Sequence, residues 1–344
     1  MKTIFIGPCG GGNVPINGAS VKNFHILSRL KVLIPGLMIV DTENWKKNRF
    51  ILIKLILLIL RYPSAKYILS LNSGSANKLL RILNKLAPKA VKIYWVIGGA
   101  LAKDIEHGRF SPSVYSSILQ IIVEGESMKK HLGKIGLKNV CVMPNFKSLV
   151  PISKTSKQDF TKTIKFVFLS RIIPQKGVDL IFDAVERLNE KYSDRYTVDF
   201  YGPIDENYSD CFRERLQKFQ NVTYRGFLDL RIQENYTELS KYSVMLFPTY
   251  WSGEGCPGIV IDAYMCGLPI IASDWNLNCD YIKDGKSGIL IQPKDSSALY
   301  EAMEKIINGK IDLNELLAGV QDELSKFDID KVLSKSNLQN IGII

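Results

Sequence analysis

Two loops of this 344-residue chain carry residue types suited to anion and sugar chemistry. The first, Leu169-Ser170-Arg171-Ile172-Ile173-Pro174-Gln175-Lys176-Gly177, follows an apolar run and places two cations, Arg171 and Lys176, ahead of the amphipathic stretch Val178–Leu188. Two cations at the carboxyl end of a strand suit the neutralisation of a diphosphate. Exposed loop cations are the plainer alternative. The second runs from Phe247 through Gly253-Glu254-Gly255-Cys256-Pro257-Gly258 into an expected helix over 259–267. Proline suits the first turn of a helix, and the free amides of that turn, aided by the macrodipole, form an anion site. Glycines at 253, 255 and 258 let a ligand approach the main chain closely. Glu254 and Asp262 lie on the order of 10 Å apart at helical rise, a span that suits the two ends of a nucleotide-diphosphate sugar. A helix-capping Glu254 and a solvated Asp262 form the competing reading.

These loops need rigid elements beneath them, and the hydrophobic pattern supplies two sets. Short β-branched runs at Lys2–Gly7, Leu37–Asp41, Tyr67–Leu71, Lys92–Ile97, Leu119–Val123 and Val140–Met143 alternate with stretches of helix length. A second series reads Lys165–Ser170, Thr197–Gly202, Val222–Arg225, Val244–Phe247, Pro269–Ala272 and Gly288–Ile291. Strand–helix alternation of this kind implies parallel sheets covered on both faces. The polar stretch Lys147–Lys165 between the series reads as a linker. The expected organisation is an α/β chain of two Rossmann-like, doubly wound domains, 1–147 and 148–327, facing a cleft. The segment 328–344 is expected to be a helix returning to the first domain. Ligands in such sheets sit at the carboxyl ends of the strands.

Composition bounds the partners. With 46% apolar and 23% charged residues, the chain is an ordinary globular protein rather than a disordered or fibrous one. The net charge of +11 is unevenly placed: residues 1–150 hold 22 basic and 6 acidic side chains, residues 151–344 hold 23 and 28. A basic first half implies an anionic partner, a membrane surface or a nucleic acid. The absence of a stacking-aromatic or recognition-helix pattern argues against nucleic acid. None of the six cysteines forms a CxxC pair, so reduced thiols and a cytoplasmic location are expected. The run Ile4–Ile6 is too short for a secretory signal. Phe50–Leu60, interrupted by Lys54, is too short to span a bilayer. That run, flanked by Lys46, Lys47, Arg49 and Arg61, suits either a core helix or one lying in a membrane interface. The number of its apolar residues favours the core.

Taken together, the two loops resemble those of the retaining family 4 glycosyltransferases of the GT-B fold, and the variant Gly253-Glu254-Gly255-Cys256-Pro257-Gly258-Ile259-Val260-Ile261-Asp262 is most similar to enzymes of bacterial capsule and exopolysaccharide synthesis. The resemblance rests also on Asp262 to Pro269, Ser273-Asp274, Asp284-Gly285, Pro144-Asn145, Tyr201-Gly202 and Gly226-Phe227, and it spans nearly all of 140–300. It implies that Arg171 and Lys176 hold the donor diphosphate, that Glu254 hydrogen-bonds the transferred sugar, and that Gly255, Gly258 and Ile259 touch sugar and phosphate. Asp262 would bind ribose, and Gly226-Phe227-Leu228 would frame the base. It further implies transfer with retention, with no metal or cofactor, from a nucleotide sugar such as a UDP-sugar. The acceptor would be a glycan or a polyprenyl-diphosphate oligosaccharide at the inner face of the cell membrane. A nucleotide-sugar 2-epimerase or a glucan synthase would share the fold.

Two departures from the family stand out. Asp262 and Asp280 occupy positions where glutamate is usual, and Ile97-Gly98-Gly99 replaces the histidine often found after the fourth strand. Lys103 and His107, just downstream, read as solvated. Gly10, Gly11 and Gly12 give a partial dinucleotide fingerprint that lacks its closing glycine. With Gly18, Gly98 and Gly99, this loop is the weaker candidate for phosphate or acceptor binding. The sole D-x-D, Asp328-Ile329-Asp330, reads as a helix end rather than a metal site.

Overall fold

The computed structural model describes residues 1–12, 18–45, 47–149 and 163–344. Most of the expected linker, and Asn13-Val14-Pro15 after the first glycine loop, lie outside the described residues. The chain divides into two compact units, Met1–Ser148 with Phe327–Ile344, and Leu149–Lys326.

Unit 1 contains β1 (Thr3–Gly7), α1 (Gly18–Leu33), β2 (Met38–Asp41), α2 (Phe50–Arg61), β3 (Lys66–Asn72), α3 (Ser73–Leu86), β4 (Val91–Ile97), α4 (Leu101–Glu106), β5 (Gln120–Val123), α5 (Glu126–Lys134) and β6 (Val140–Val142). Its six strands are parallel in the order β2-β1-β3-β4-β5-β6. Ile4 pairs with Met38 on one side and Tyr67 on the other. The sheet is apolar on both faces because helices cover both, which explains why its strands read as unbroken β-branched runs.

Unit 2 contains β7 (Ile164–Leu169), α6 (Val178–Tyr192), β8 (Tyr196–Tyr201), α7 (Ser209–Leu216), β9 (Val222–Tyr224), α8 (Asn235–Leu239), β10 (Val244–Phe247), α9 (Gly258–Met265), β11 (Ile270–Ser273), α10 (Asn278–Tyr281), β12 (Gly288–Ile291), α11 (Ser296–Ile307) and α12 (Leu313–Leu324). The strand order is β12-β11-β10-β7-β8-β9, again all parallel. Its core is aromatic: Phe182 stacks on Phe200 at 5.3 Å and on Phe219 at 6.1 Å. Each fully buried Phe contributes about 1.5–3 kcal/mol. The winding reverses between β7 and β10, so the loops following these two strands flank the topological switch point, where such sheets bind ligands. Those are the loops of Arg171–Lys176 and Tyr250–Gly258.

The last residues, α13 (Ile329–Val332) and α14 (Lys335–Asn340), belong to unit 1. Val332, Leu333, Leu338 and Ile343 pack with Phe5, Ile26 and Leu30, closing the β1–α1 face of its core.

One sequence expectation fails here. Phe50–Leu60 is helical, but as α2 it is no core helix. Only Leu55, Leu58 and Ile59 are buried, whereas Phe50 is 78% and Leu57 61% exposed, and Leu52, Ile53, Ile56 and Leu60 are exposed as well. A helix apolar all round has the composition of a buried one, and composition cannot show that a single stripe is covered. No described helix is long and apolar enough to cross a membrane.

Candidate functional site

The switch-point loops of unit 2 are built to touch. Pro174–Lys176 forms a 3-10 turn that ends on Gly177 in the left-handed region, φ 83°. A Cβ on Gly177 would collide with the Pro248 carbonyl, so only glycine lets the two loops close on each other. Their backbones are joined where the Tyr250 amide donates to the Gln175 carbonyl at 2.8 Å. This seam brings the Lys176 ammonium, on a residue only 7% exposed, onto the Glu254 carboxylate as an ion pair. Thr249 Oγ1 donates to the same oxygen, Glu254 Oε2, at 3.1 Å. Lys176 Nζ also lies 5.7 Å from the Phe247 ring centre, where the ring face favours a cation. Arg171 is exposed, with its guanidinium 5.4 Å from the Trp251 ring centre.

The Glu254 loop is held from the β11 side. Trp275 Nε1 donates to the Trp251 carbonyl, and Asn276 Nδ2 to the Glu254 carbonyl, each at 2.9 Å. Asn276 has φ 51°, a left-handed conformation that asparagine tolerates better than most residues. Sequence reasoning missed Thr249, Trp251, Trp275 and Asn276. Asn276, three residues after Ser273, is a turn-favouring residue type and the local signal that could have found this brace.

Pro257 is the N-cap of α9 rather than a residue of its first turn, and Gly258 and Ile259 open the helix. Their amides lie in the turn that has no helical acceptors, next to Gly255 and Glu254 in the chain. Asp262 is different: it is 3% exposed, and the Tyr236 hydroxyl of α8 donates to its Oδ1 at 2.6 Å. Burial first, and then Asp262 itself, push the Tyr236 phenol far above its ordinary pKa, so it remains a donor. Asp280 lies in α10, half-buried.

The loop after β9 carries Gly226 at φ 83°, whose carbonyl accepts from the Gly202 amide at 2.8 Å. Phe227 is 66% exposed, whereas Leu228 is buried. Arg225 Nε (3.0 Å) and the Tyr242 hydroxyl (2.7 Å) both donate to Asp199 Oδ2, fixing the strand end that carries this loop.

The remaining sequence candidates belong to unit 1. Gly10, Gly11 and Gly12 all have positive φ, but their loop is no phosphate cradle in this structure. The Cys9 and Gly11 amides donate to the two Asp41 carboxylate oxygens at 2.8 Å each, and the Gly10 amide donates to Glu43 at 3.3 Å. The nest is filled by the chain's own carboxylates, and phosphate would have to displace two negative charges. Burial, then Asp41 and Glu43, push the Cys9 thiol up to about 12. Gly18 opens α1, and Gly98 (φ 82°) with Gly99 follows β4. His107 is exposed and bonds the Lys103 carbonyl at 2.7 Å. Asp328 of the D-x-D caps α13, accepting from the Asp330 amide at 3.0 Å. The six cysteines are all free thiols.

The model of the family "Glycosyl transferases group 1" matches residues 151–318. An uncharacterized 41.2 kDa protein in the cps region of Klebsiella pneumoniae is 26% identical over 167 residues, 48% of this chain and 43% of that protein. O-antigen chain mannosyltransferase C of Escherichia coli is 26% identical over 149 residues, 42% of this chain and 37% of that protein. The chain thus spans about half the length, or less, of these curated relatives. Among solved structures, Anabaena Alr3699/HepE in complex with UDP superposes with a TM-score of 0.71 at 14% identity, covering 99% of this chain and 98% of that one. The lipopolysaccharide outer core galactosyltransferase WaaB gives 0.71 at 15% identity, covering 99% of both. At such identities the likeness establishes the fold alone. Residues 151–318 thus match the glycosyl transferases group 1 model, and the chain shares the GT-B fold of these solved structures.

Proposed function

We propose that the chain is a retaining glycosyltransferase that moves a hexose from a nucleotide sugar, a UDP-sugar, to a glycan or polyprenyl-diphosphate oligosaccharide in surface polysaccharide assembly. The observation that carries this reading is the meeting of Lys176 and Glu254 at the switch point of unit 2, with Arg171 at the rim. In this reading Arg171, Lys176 and the first amides of α9 take the donor diphosphate and stabilise the charge that develops on the leaving nucleotide. Glu254 leaves Lys176 to accept from sugar hydroxyls, Phe227 stacks on the base, and Asp262, held by Tyr236, turns its carboxylate toward the ribose. The acceptor hydroxyl attacks on the face the phosphate leaves, and the departing phosphate oxygen takes its proton. Two protein cations and a helix start supply the countercharge, so neither a metal nor a cofactor is required.

Support comes from the family match, from the relative in a cps region and the O-antigen mannosyltransferase, and from HepE, whose crystals hold UDP or UDP-glucose. Unit 1 serves the acceptor, and the protein works at the cytoplasmic face of the membrane. The test is thermal-shift screening against nucleotide sugars, followed by transfer assays with and without EDTA. UDP and one UDP-sugar should raise the melting temperature by mass action, and EDTA should leave turnover unchanged. No shift with any nucleotide would overturn the donor reading, and loss of turnover in EDTA that is restored by a divalent ion would overturn the metal-free mechanism.

A further inference from the structure

We infer that the outward face of α2 is a docking surface for an anionic lipid bilayer, the helix lying in the interfacial plane with Phe50, Ile53, Leu57 and Leu60 among the acyl chains. Leu55, Leu58 and Ile59 fix the inward side of α2, where it packs on β2 and α3. At 100° per residue, Phe50, Ile53, Leu57 and Leu60 fall on the opposite side, and all four are exposed. Leu52 and Ile56 widen the strip. An exposed apolar face of this kind on a soluble domain marks an interaction surface. The helix has 12 residues and is about 18 Å long, far short of the ~30 Å hydrocarbon core, so it lies along a bilayer and does not cross it.

Charge selects the occupant. Between residues 44 and 103 the sequence holds 12 Lys and Arg and no Asp or Glu. Lys47, Arg49, Lys54 and Arg61 are exposed on and beside α2. Lys78, Arg81 and Lys85 are exposed on the adjacent α3, beside the exposed Ile82. An apolar strip edged by cations alone matches acyl chains beneath anionic headgroups, and the apolar and polybasic signals together give stable peripheral anchoring. The inference deepens the lipid-linked acceptor reading, on which its purpose rests, but its geometry does not involve the donor site.

The test is flotation of the full chain with phosphatidylcholine vesicles, with and without phosphatidylglycerol. Wild type should float with the anionic vesicles. The triple variant Phe50→Ser, Ile53→Ser, Leu57→Ser should lose at least about tenfold in partitioning, and Arg49→Glu, Lys54→Glu, Arg61→Glu should abolish the preference for anionic lipid. Phe50→Trp fluorescence should shift blue and be quenched by brominated acyl chains. UDP-induced stabilisation should be unchanged in every variant, so loss of flotation with UDP binding intact is a failure of docking alone, and the converse is a failure of the donor reading alone. Equal flotation of wild type and the serine variant, equal binding to neutral vesicles, or a wild-type dimer that the serine variant makes monomeric would each overturn the inference.

Discussion

Each unit carries a glycine-bearing loop after its first strand, and the two loops have opposite electrostatics. After β1, the amides of Cys9, Gly10 and Gly11 are taken up by Asp41 and Glu43. After β7 the chain presents Arg171 and Lys176, and among the described residues the carboxylate on Lys176 arrives from the β10 loop, 78 residues away. The unit charges run the other way: the first half of the chain is strongly basic and the second half mildly acidic. A charge tally therefore reports on the periphery, while the sign at a switch point is set by what ends the neighbouring strand. β2 ends in Asp41, beside β1. The strands flanking β7 end in Tyr201 and Phe247, so no carboxylate at a neighbouring strand end meets its cations.

The largest effect that would break this contrast lies at Lys176. Lys176→Ala should lower kcat/KM for the UDP-sugar by about a hundredfold or more, because a developing diphosphate charge loses a desolvated partner. Asp41→Asn should leave kcat/KM within about twofold. Steady-state kinetics on both variants checks this, and equal losses would remove the distinction between the two loops.

A second change sharpens it. In this structure Glu254 is paired with Lys176, so on the proposed donor reading a diphosphate would compete with the carboxylate for one ammonium. Glu254→Gln should raise UDP affinity several-fold, by about 1 kcal/mol, while cutting sugar transfer at least tenfold. Calorimetry with UDP alone separates the two; weaker UDP binding would show that Glu254 orders the loop and does not shield the lysine.

The fold was legible in the sequence for a physical reason. The described strands are short and mostly buried, so nearly all left an apolar, largely β-branched or aromatic run at their place, from Ile4–Ile6 to Ile289–Ile291. Arg171, Lys176 and Glu254 stood out because glycine and proline punctuate the loops that carry them. What stayed hidden depends on distant partners. The pairing of Lys176 with Glu254, the Tyr236–Asp262 bond and the Trp275–Asn276 brace each join residues separated by 22 or more positions. The Asp41 nest inverted a loop that its glycines alone presented as phosphate-binding. The outer face of α2 was hidden for another reason: apolar residues look the same in a sequence whether neighbouring helices cover them or not.

A smaller effect tests the filled nest directly. Asp41→Asn removes charge-assisted bonds to the Cys9 and Gly11 amides and should destabilise unit 1 by about 1–3 kcal/mol. Hydrogen exchange resolved to β1 and β2 reads this locally. The strands of unit 2 should keep their protection, and so should UDP affinity. Unchanged exchange in β1 would mean that the loop amides find water equally good.

The smallest effect is a difference in acid response. All three histidines of the chain, 25, 107 and 131, lie in unit 1. Burial, and then the charge of Lys147, lower the His25 pKa below its ordinary value near 6.5. The unfolded chain therefore takes up this proton before the folded one does, and stability falls as pH drops from about 6.5 through the lowered folded value, then levels off. Above the unfolded value the effect is absent. Hydrogen exchange in α1 between about pH 7.5 and pH 5.5 should accelerate on acidification, after correction for the intrinsic rate, and His25→Asn should remove that part of the response. α6, the corresponding first helix of unit 2, has no histidine near it in sequence and should show no such component. A response in α1 that survives His25→Asn would overturn the assignment of the acid sensitivity to His25.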